Sequence, residues 1–138
     1  MCKMLLSIEP RFVEHILDGS KRFEYRKVRN KKDVSHVLIY STSPVMKVVA
    51  EAHIKDVLVD DPEVVWNLTN NYSGITKEFF DQYYRGKDIA VAYELDDVKE
   101  FPISLDLEDF GVSNAPQSFI YLDDAARYSL PHNPVLLH

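Results

Sequence analysis

At 138 residues and 16.0 kDa the chain has the length of one ordinary domain, and 46% hydrophobic with 28% charged residues is the composition of a globular protein, not of a disordered, collagen-like or repeat one. A single cysteine, Cys2, excludes an internal disulfide and any site built on two cysteines. The net charge of −6 argues against a dedicated polyanion binder, yet seven bases stand against the single acid Glu24 between Lys21 and Lys32, a local +6 that leaves −12 for the rest of the chain.

In chain order, Met4, Leu6 and Ile8 alternate with Lys3 and Ser7, which predicts a first strand. Glu9, Arg11, Glu14, His15 and Asp18 interrupt the first twenty residues too often for a signal sequence or a membrane span, so a cytoplasmic, reducing location is expected. Pro10 opens a short helix with Phe12, Val13, Ile16 and Leu17 at helical spacing, and Gly19 stops it. The period then becomes two. Phe23 and Tyr25 point one way, while Arg22, Glu24 and Arg26 point to an outer, charged face.

The run Val37 to Tyr40 has no polar face and reads as a central strand buried on both sides. Val48, Ala50, Ala52 and Ile54 share one face but Val57 and Val59 fall on the other, which predicts a bulge near Lys55 and Asp56. Asp61-Pro62-Glu63 opens a second helix, Thr76 caps a third and Gly86 stops it. Ile89 to Leu95, Val98 to Leu105 and Ala115 to Leu122 supply further strands. The pattern is α+β: a small mixed barrel of five to six strands with short peripheral helices over residues 1–128, followed by a tail, 129–138, that contains Pro131 and Pro134.

Common enzyme signatures are missing. Four glycines do not make a phosphate loop or a dinucleotide fingerprint, and His15, His36, His53, His132 and His138 show no close ligand spacing, so neither a metal nor a cofactor is expected. The informative segment is Leu5 to Arg26, in which Gly19, Lys21, Glu24 and Arg26 spell G-x-K-x-x-E-x-R. This resembles the ASCH domains of the PUA-like superfamily, and the likeness runs on through Tyr40–Ile54 and Ala115–Leu122. The resemblance implies a PUA-like pseudo-barrel with a cleft beside the first helix, binding RNA, another nucleic acid or a modified nucleoside or nucleotide.

In such a cleft Lys21 offers a mobile ammonium for phosphate, Arg26 a planar fork for phosphate or a base edge, and Glu24 a carboxylate that orients the fork or accepts from a base amino group, with Arg22 beside them. The bland alternative is an exposed Glu24–Arg26 pair next to a flexible basic loop, Lys27 to Lys32. Glu9 makes the cleft less attractive to phosphate. Ser41, Thr42 and Ser43 present hydroxyls and amides to a ligand, or form a turn that satisfies its own backbone. Trp66, Tyr72, Tyr83 and Tyr84 are candidates for base stacking; Tyr72, in a polar run, is the favoured one, whereas Phe79, Phe80 and Tyr83 at helical spacing read as core.

Some ASCH proteins are amidohydrolases of N4-acetylcytidine with a G-x-K-x-x-T pattern and a later Glu. Here Lys21 keeps its place, Glu24 stands for the Thr, and the loop Asn71 to Ser73 holds no acid. A carboxylate beside Lys21 is expected to raise its pKa and so oppose its use as a nucleophile. Other members are linked with ribonuclease activity, for which this sequence offers no histidine pair or acid cluster. A nucleic-acid-binding or nucleotide-binding module therefore ranks first. A metal-independent amidohydrolase using Lys21 and Glu24 comes second, and a protein-interaction module acting through Asp60, Asp61, Asp96, Asp97, Glu108 and Asp109 third.

Overall fold

Apolar alternation sets the strands β1 (Cys2–Ile8), β2 (Phe23–Arg26), β3 (Val34–Ser41), β4 (Lys47–Asp60), β5 (Ala90–Leu105) and β6 (Phe119–Leu122) in a computed structural model that describes residues 2–122. They form one six-stranded sheet in the order β2-β5-β4-β3-β1-β6, curled into a half-barrel. Only β1 and β3 run parallel; the other neighbours are antiparallel. The boundary expected between 128 and 129, and the tail beyond it, lie outside the described residues.

β3 takes the central position its unbroken apolar run requires. Val37 and Ile39 enter one buried cluster with Met4, Leu6, Ala50, Ala52, Val91 and Tyr93, while Leu38 and Tyr40 enter a second with Leu5, Val48, Phe101 and Leu105. The bulge expected near Lys55 is the last of three register shifts between β4 and β5, and it lies between Ile54 and Asp56. One expectation is corrected: Ile89–Leu95 and Val98–Leu105 are not two strands. β5 is continuous and bends at Asp97, which stands at φ +48 and is of a residue type that tolerates the left-handed region.

Helix α1 (Pro10–Asp18) starts on its proline and ends at Gly19, whose φ of +89 lets its N–H reach back to the Ile16 carbonyl. Val13 and Ile16 plug the first cluster. Asp61 caps α2 (Pro62–Thr69) by accepting from the Glu63 N–H, and Thr76 caps α3 (Lys77–Tyr83) by accepting from the Phe79 N–H. These two helices cover the other face of β2, packing Val65, Phe80 and Tyr84 on Phe23, Tyr25, Ala90 and Ala92. No described helix is long and apolar enough to cross a membrane.

Candidate functional site

After Gly19 the chain is fixed by backbone bonds to three segments: the Lys21 N–H donates to the His15 carbonyl, Arg22 N–H to the Tyr72 carbonyl, and Leu95 N–H to the Arg22 carbonyl. β2 therefore enters the sheet edge at a set depth. The charged groups are not on a solvated face, as the bland alternative had them, but buried, with Lys21 3% exposed and Glu24 and Arg26 8% each, while Arg22 stays exposed. The period of two was read correctly, but its polar side turns into the mouth of the half-barrel, because β2 and β6 are the two edges of a curled sheet.

Arg26 spans that gap. Its Nε and Nη2 donate to Glu24 Oε2 at 3.1 and 2.9 Å, Nη2 also to the Ser7 carbonyl on β1 at 2.8 Å, and Nη1 to the carbonyl and Oγ of Ser118 at 3.2 and 3.3 Å. A guanidinium has five N–H donors, and these contacts use all of them. Arg26 is thus a clamp that ties the β2 edge to the β1–β6 edge, not the phosphate fork expected from sequence. The two bonds it gives Glu24 end on one oxygen. Glu24 Oε1 has Lys21 Nζ at 3.9 Å, beyond hydrogen-bond reach, and remains an acceptor.

Lys21 is fixed as well. Its Nζ donates to the Ser73 carbonyl at 2.7 Å and lies 4.9 Å from the centre of the Tyr25 ring and 5.5 Å from that of Phe12. Burial pushes this ammonium below the ordinary lysine value; Glu24 opposes the shift and Arg26 adds to it. The expected rise is therefore reversed, since loss of hydration outweighs a carboxylate at 3.9 Å. The folded chain then binds fewer protons than the unfolded one between the lowered value and 10.5. Stability rises with pH through that window, by up to about 1.4 kcal/mol per pH unit. Urea unfolding up to about pH 9.5, below the ordinary tyrosine range, is expected to show this rise in the parent chain and a flatter curve in Lys21→Met.

These groups form the floor of a cavity of about 470 Å³. Phe12 of α1, with Ile75, Phe79 and Tyr83 from around α3, makes aromatic and apolar walls, and Ser7, Gln117 and Ser118 close the β1–β6 side. Phe12 and Phe79 meet edge to face at 5.4 Å. Phe79 and Tyr83, expected as core, are wall residues; of the three only Phe80 is core. Burial pushes the Tyr83 hydroxyl up, and no described residue hydrogen-bonds to it. The Tyr25 hydroxyl, pushed up to about 12 by burial, donates to Thr69 Oγ1 at 2.7 Å, which in turn donates to the Val65 carbonyl.

The structure thus brings Lys21, Glu24 and Arg26 together. Of the other residues singled out from sequence, Tyr83 and Glu9 also reach the cavity lining, whereas Arg22, Ser41, Thr42, Ser43, Trp66, Tyr72 and Tyr84 do not. Arg22 and Tyr72 stack on each other at 4.0 Å, with Tyr72 exposed, and Ser41 is buried where β3 meets Ile8 and Lys47 while Thr42 and Ser43 continue into a turn. Trp66 and Tyr84 pack on Phe80. Glu9 lines the cavity and pairs with Arg11. The acids considered for a protein partner have separate local roles: Asp61 caps α2, Asp109 accepts from the Asp106 N–H, Asp96 pairs with His53 and Asp97 with Lys99.

Sequence reasoning missed Ser7, Ser73 and Ser118, which bind through their carbonyls, with Ser118 Oγ as the one side-chain contribution, and so leave little side-chain signal. It also missed the contact of His36 with His53, whose rings meet at 5.3 Å across β3 and β4, because ligand spacing was sought along the chain and not across a strand pair. Neither histidine lines the cavity.

Known proteins share this fold. A family described as "Domain of unknown function (DUF365)" matches residues 5–115. The chain is 29% identical over 120 residues to the large ribosomal subunit protein uL22 of Ureaplasma parvum serovar 3, an alignment that takes in 86% of this chain but spans only 39% of that protein. It is 27% identical over 122 residues to an ASCH domain-containing ribonuclease of Zymomonas mobilis, covering 86% of this chain and 82% of that one. The crystal structure of ASCH from Zymomonas mobilis superposes with a TM-score of 0.81 at 24% identity, over 88% of each chain. With the profile match running from the first strand to the approach to the last, and the same six-stranded half-barrel in solved relatives, the chain belongs to the DUF365 family and has the PUA-like fold of an ASCH domain.

Proposed function

We propose that the cavity is a nucleobase pocket and that the chain is an RNA-related binding module. One observation carries the reading: a buried carboxylate, Glu24, is held on one oxygen by Arg26 and keeps the other as an acceptor at the floor of an aromatic-walled cavity. Phe12, Phe79 and Tyr83 suit the faces and edges of a flat ring, and Glu24 Oε1 suits an exocyclic amino group. At about 470 Å³ the space lies within the usual range for small-molecule pockets, about 300 to 1,000 Å³. The name of the Zymomonas mobilis relative, a ribonuclease, supports RNA as the polymer.

Calorimetric titration of the four ribonucleosides tests this. Binding is expected, and Tyr83→Ala is expected to weaken it by about 1 to 3 kcal/mol, the range for loss of one base–aromatic contact. An unchanged affinity in that variant, with its stability intact, counts against the pocket.

A second reading has its own support. A lysine whose ammonium is disfavoured by burial, 3.9 Å from a carboxylate able to take a proton, is suited to attack an acyl carbon, as in hydrolysis of an acylated nucleoside such as N4-acetylcytidine. Glu24 in place of the Thr, and the acid-free Asn71 to Ser73 loop, separate this chain from that pattern. Release of cytidine by the parent chain and its loss in Lys21→Met are the outcomes this reading requires; a flat chromatogram removes it.

A further inference from the structure

The cations of this acidic molecule fall into two groups. Lys3, Arg11, Lys21, Arg26, Lys47, Lys55, Lys77 and Lys99 each have a carboxylate within 4.0 Å. Among the described residues, the exposed side chains of Lys27, Arg29, Lys31 and Lys32 on the loop from β2 to β3 have none, and neither have Arg22, Arg85 and Lys87. With 22 acids in the chain, four unneutralised cations on one loop are not a matter of supply. Four like charges within six residues repel one another, and that repulsion works against the folded state.

The loop is nevertheless held in place, unlike the flexible segment of the bland alternative. The Tyr93 hydroxyl accepts from the Asn30 N–H at 2.9 Å and donates to Asn30 Oδ1 at 2.8 Å, and the Tyr121 hydroxyl accepts from the Lys31 N–H at 2.6 Å. Two tyrosines of the barrel thus hold the backbone of a segment whose charges oppose compaction. Its position is specific: Lys27 and Val28 line the cavity, and Lys27 Nζ sits 4.6 Å from the centre of the Tyr83 ring. Tyr84, whose hydroxyl donates to the Arg26 carbonyl at the end of β2, ties the segment before Arg85 and Lys87 to the start of the loop.

Resting on the reading of the cavity as a base pocket, we propose that the β2–β3 loop is a track for the phosphodiester backbone of single-stranded RNA whose base occupies the cavity. The chemistry of the neighbourhood favours a nucleic acid over an acidic polypeptide. The cavity that opens beside the track has aromatic walls and a carboxylate floor, which accept a ring with amino groups and repel a carboxylate side chain. Lysine predominates on the loop, giving point charges that grip phosphates without regard to sequence, so any selectivity rests with the cavity.

The test uses the full chain with labelled single-stranded homohexaribonucleotides and, separately, the four ribonucleosides, between about 50 and 200 mM salt. Log affinity for the oligonucleotide is expected to fall against log salt with a slope of about −2, three phosphates at about −0.7 each, while nucleoside binding is nearly insensitive to salt. The triple variant Arg29→Gln/Lys31→Gln/Lys32→Gln changes no cavity-lining residue. It is expected to remove most of that slope and to lower oligonucleotide affinity at least tenfold at low salt, with nucleoside affinity retained. Nucleoside binding with no gain from the attached backbone, or the parent slope in the triple variant, overturns the track and leaves the base pocket standing. Failure of both probes to bind removes both. Equal binding of a hexaglutamate peptide overturns the assignment to RNA.

Discussion

Arg26→Ala is expected to lower stability by about 3–5 kcal/mol, the cost of removing one partner of a buried ion pair and leaving the other charge uncompensated. Glu24 is 8% exposed, and among the described residues its only hydrogen bonds come from the Arg26 guanidinium. The same substitution strips the donors from the Ser7 and Ser118 carbonyls, so the β2 edge loses its tie to the β1–β6 edge. Urea denaturation checks the size. A loss below about 1 kcal/mol would mean that the pair behaves as a screened surface pair.

Two further variants separate clamp from ligand contact. Glu24→Ala in the Arg26→Ala background removes the stranded carboxylate, so the double variant is expected to be more stable than Arg26→Ala alone, the non-additivity of groups in one network. Arg26→Lys keeps the charge but replaces a five-donor fork with a three-donor point charge that cannot reach Glu24, Ser7 and Ser118 together, and most of the loss is expected to persist. Any loss of RNA binding in Arg26→Ala is read against its stability, because the clamp shapes the cavity that Glu24 floors.

The strands were legible because burial on one face leaves a period of two in the sequence, and the helix ends because Pro10, Gly19, Asp61 and Thr76 solve local backbone problems visible at short range. Spacing also brought Lys21, Glu24 and Arg26 into one neighbourhood. Their roles were not legible, because each depends on partners far along the chain: Ser73 for Lys21, and Ser7 and Ser118 for Arg26. Alternation assigns side chains to faces but says nothing about whether a face meets solvent or the opposite edge of a curled sheet. For β2 that distinction reversed the expected pKa shift of Lys21 and spent the guanidinium of Arg26 on the protein itself. Neutralisation was equally hidden, since the loop Lys27 to Lys32 looks no more basic in sequence than in structure; what the fold adds is that most other cations find carboxylates and these do not.

Gly74→Ala is expected to be the most disruptive of the glycine substitutions, and it tests whether the Lys21 ammonium is wedged in place. Gly74 stands at φ +69, where an L side chain is strained, and a Cβ there would lie 2.5, 2.6 and 2.7 Å from Cβ, Cγ and Cδ of Lys21. Those are the carbons nearest the lysine backbone, which is fixed by the bond from the Lys21 N–H to the His15 carbonyl, so the stem cannot swing clear as a free end could. Gly86 supplies the control: its φ is +78, but a Cβ there meets nothing within 4 Å. Gly86→Ala is expected to show the backbone cost alone, about 1–2 kcal/mol, whereas Gly74→Ala adds displacement of the Lys21 stem to a similar cost. Moving Nζ off the Ser73 carbonyl changes its burial, so Gly74→Ala is also expected to lose the alkaline rise in stability that Gly86→Ala keeps. If the two variants cost the same and both retain the rise, Lys21 is not wedged by Gly74. If they differ as expected, the protonation state of the cavity floor depends on a glycine 53 positions along the chain, which explains why a polar run with no acid in it belongs to the site.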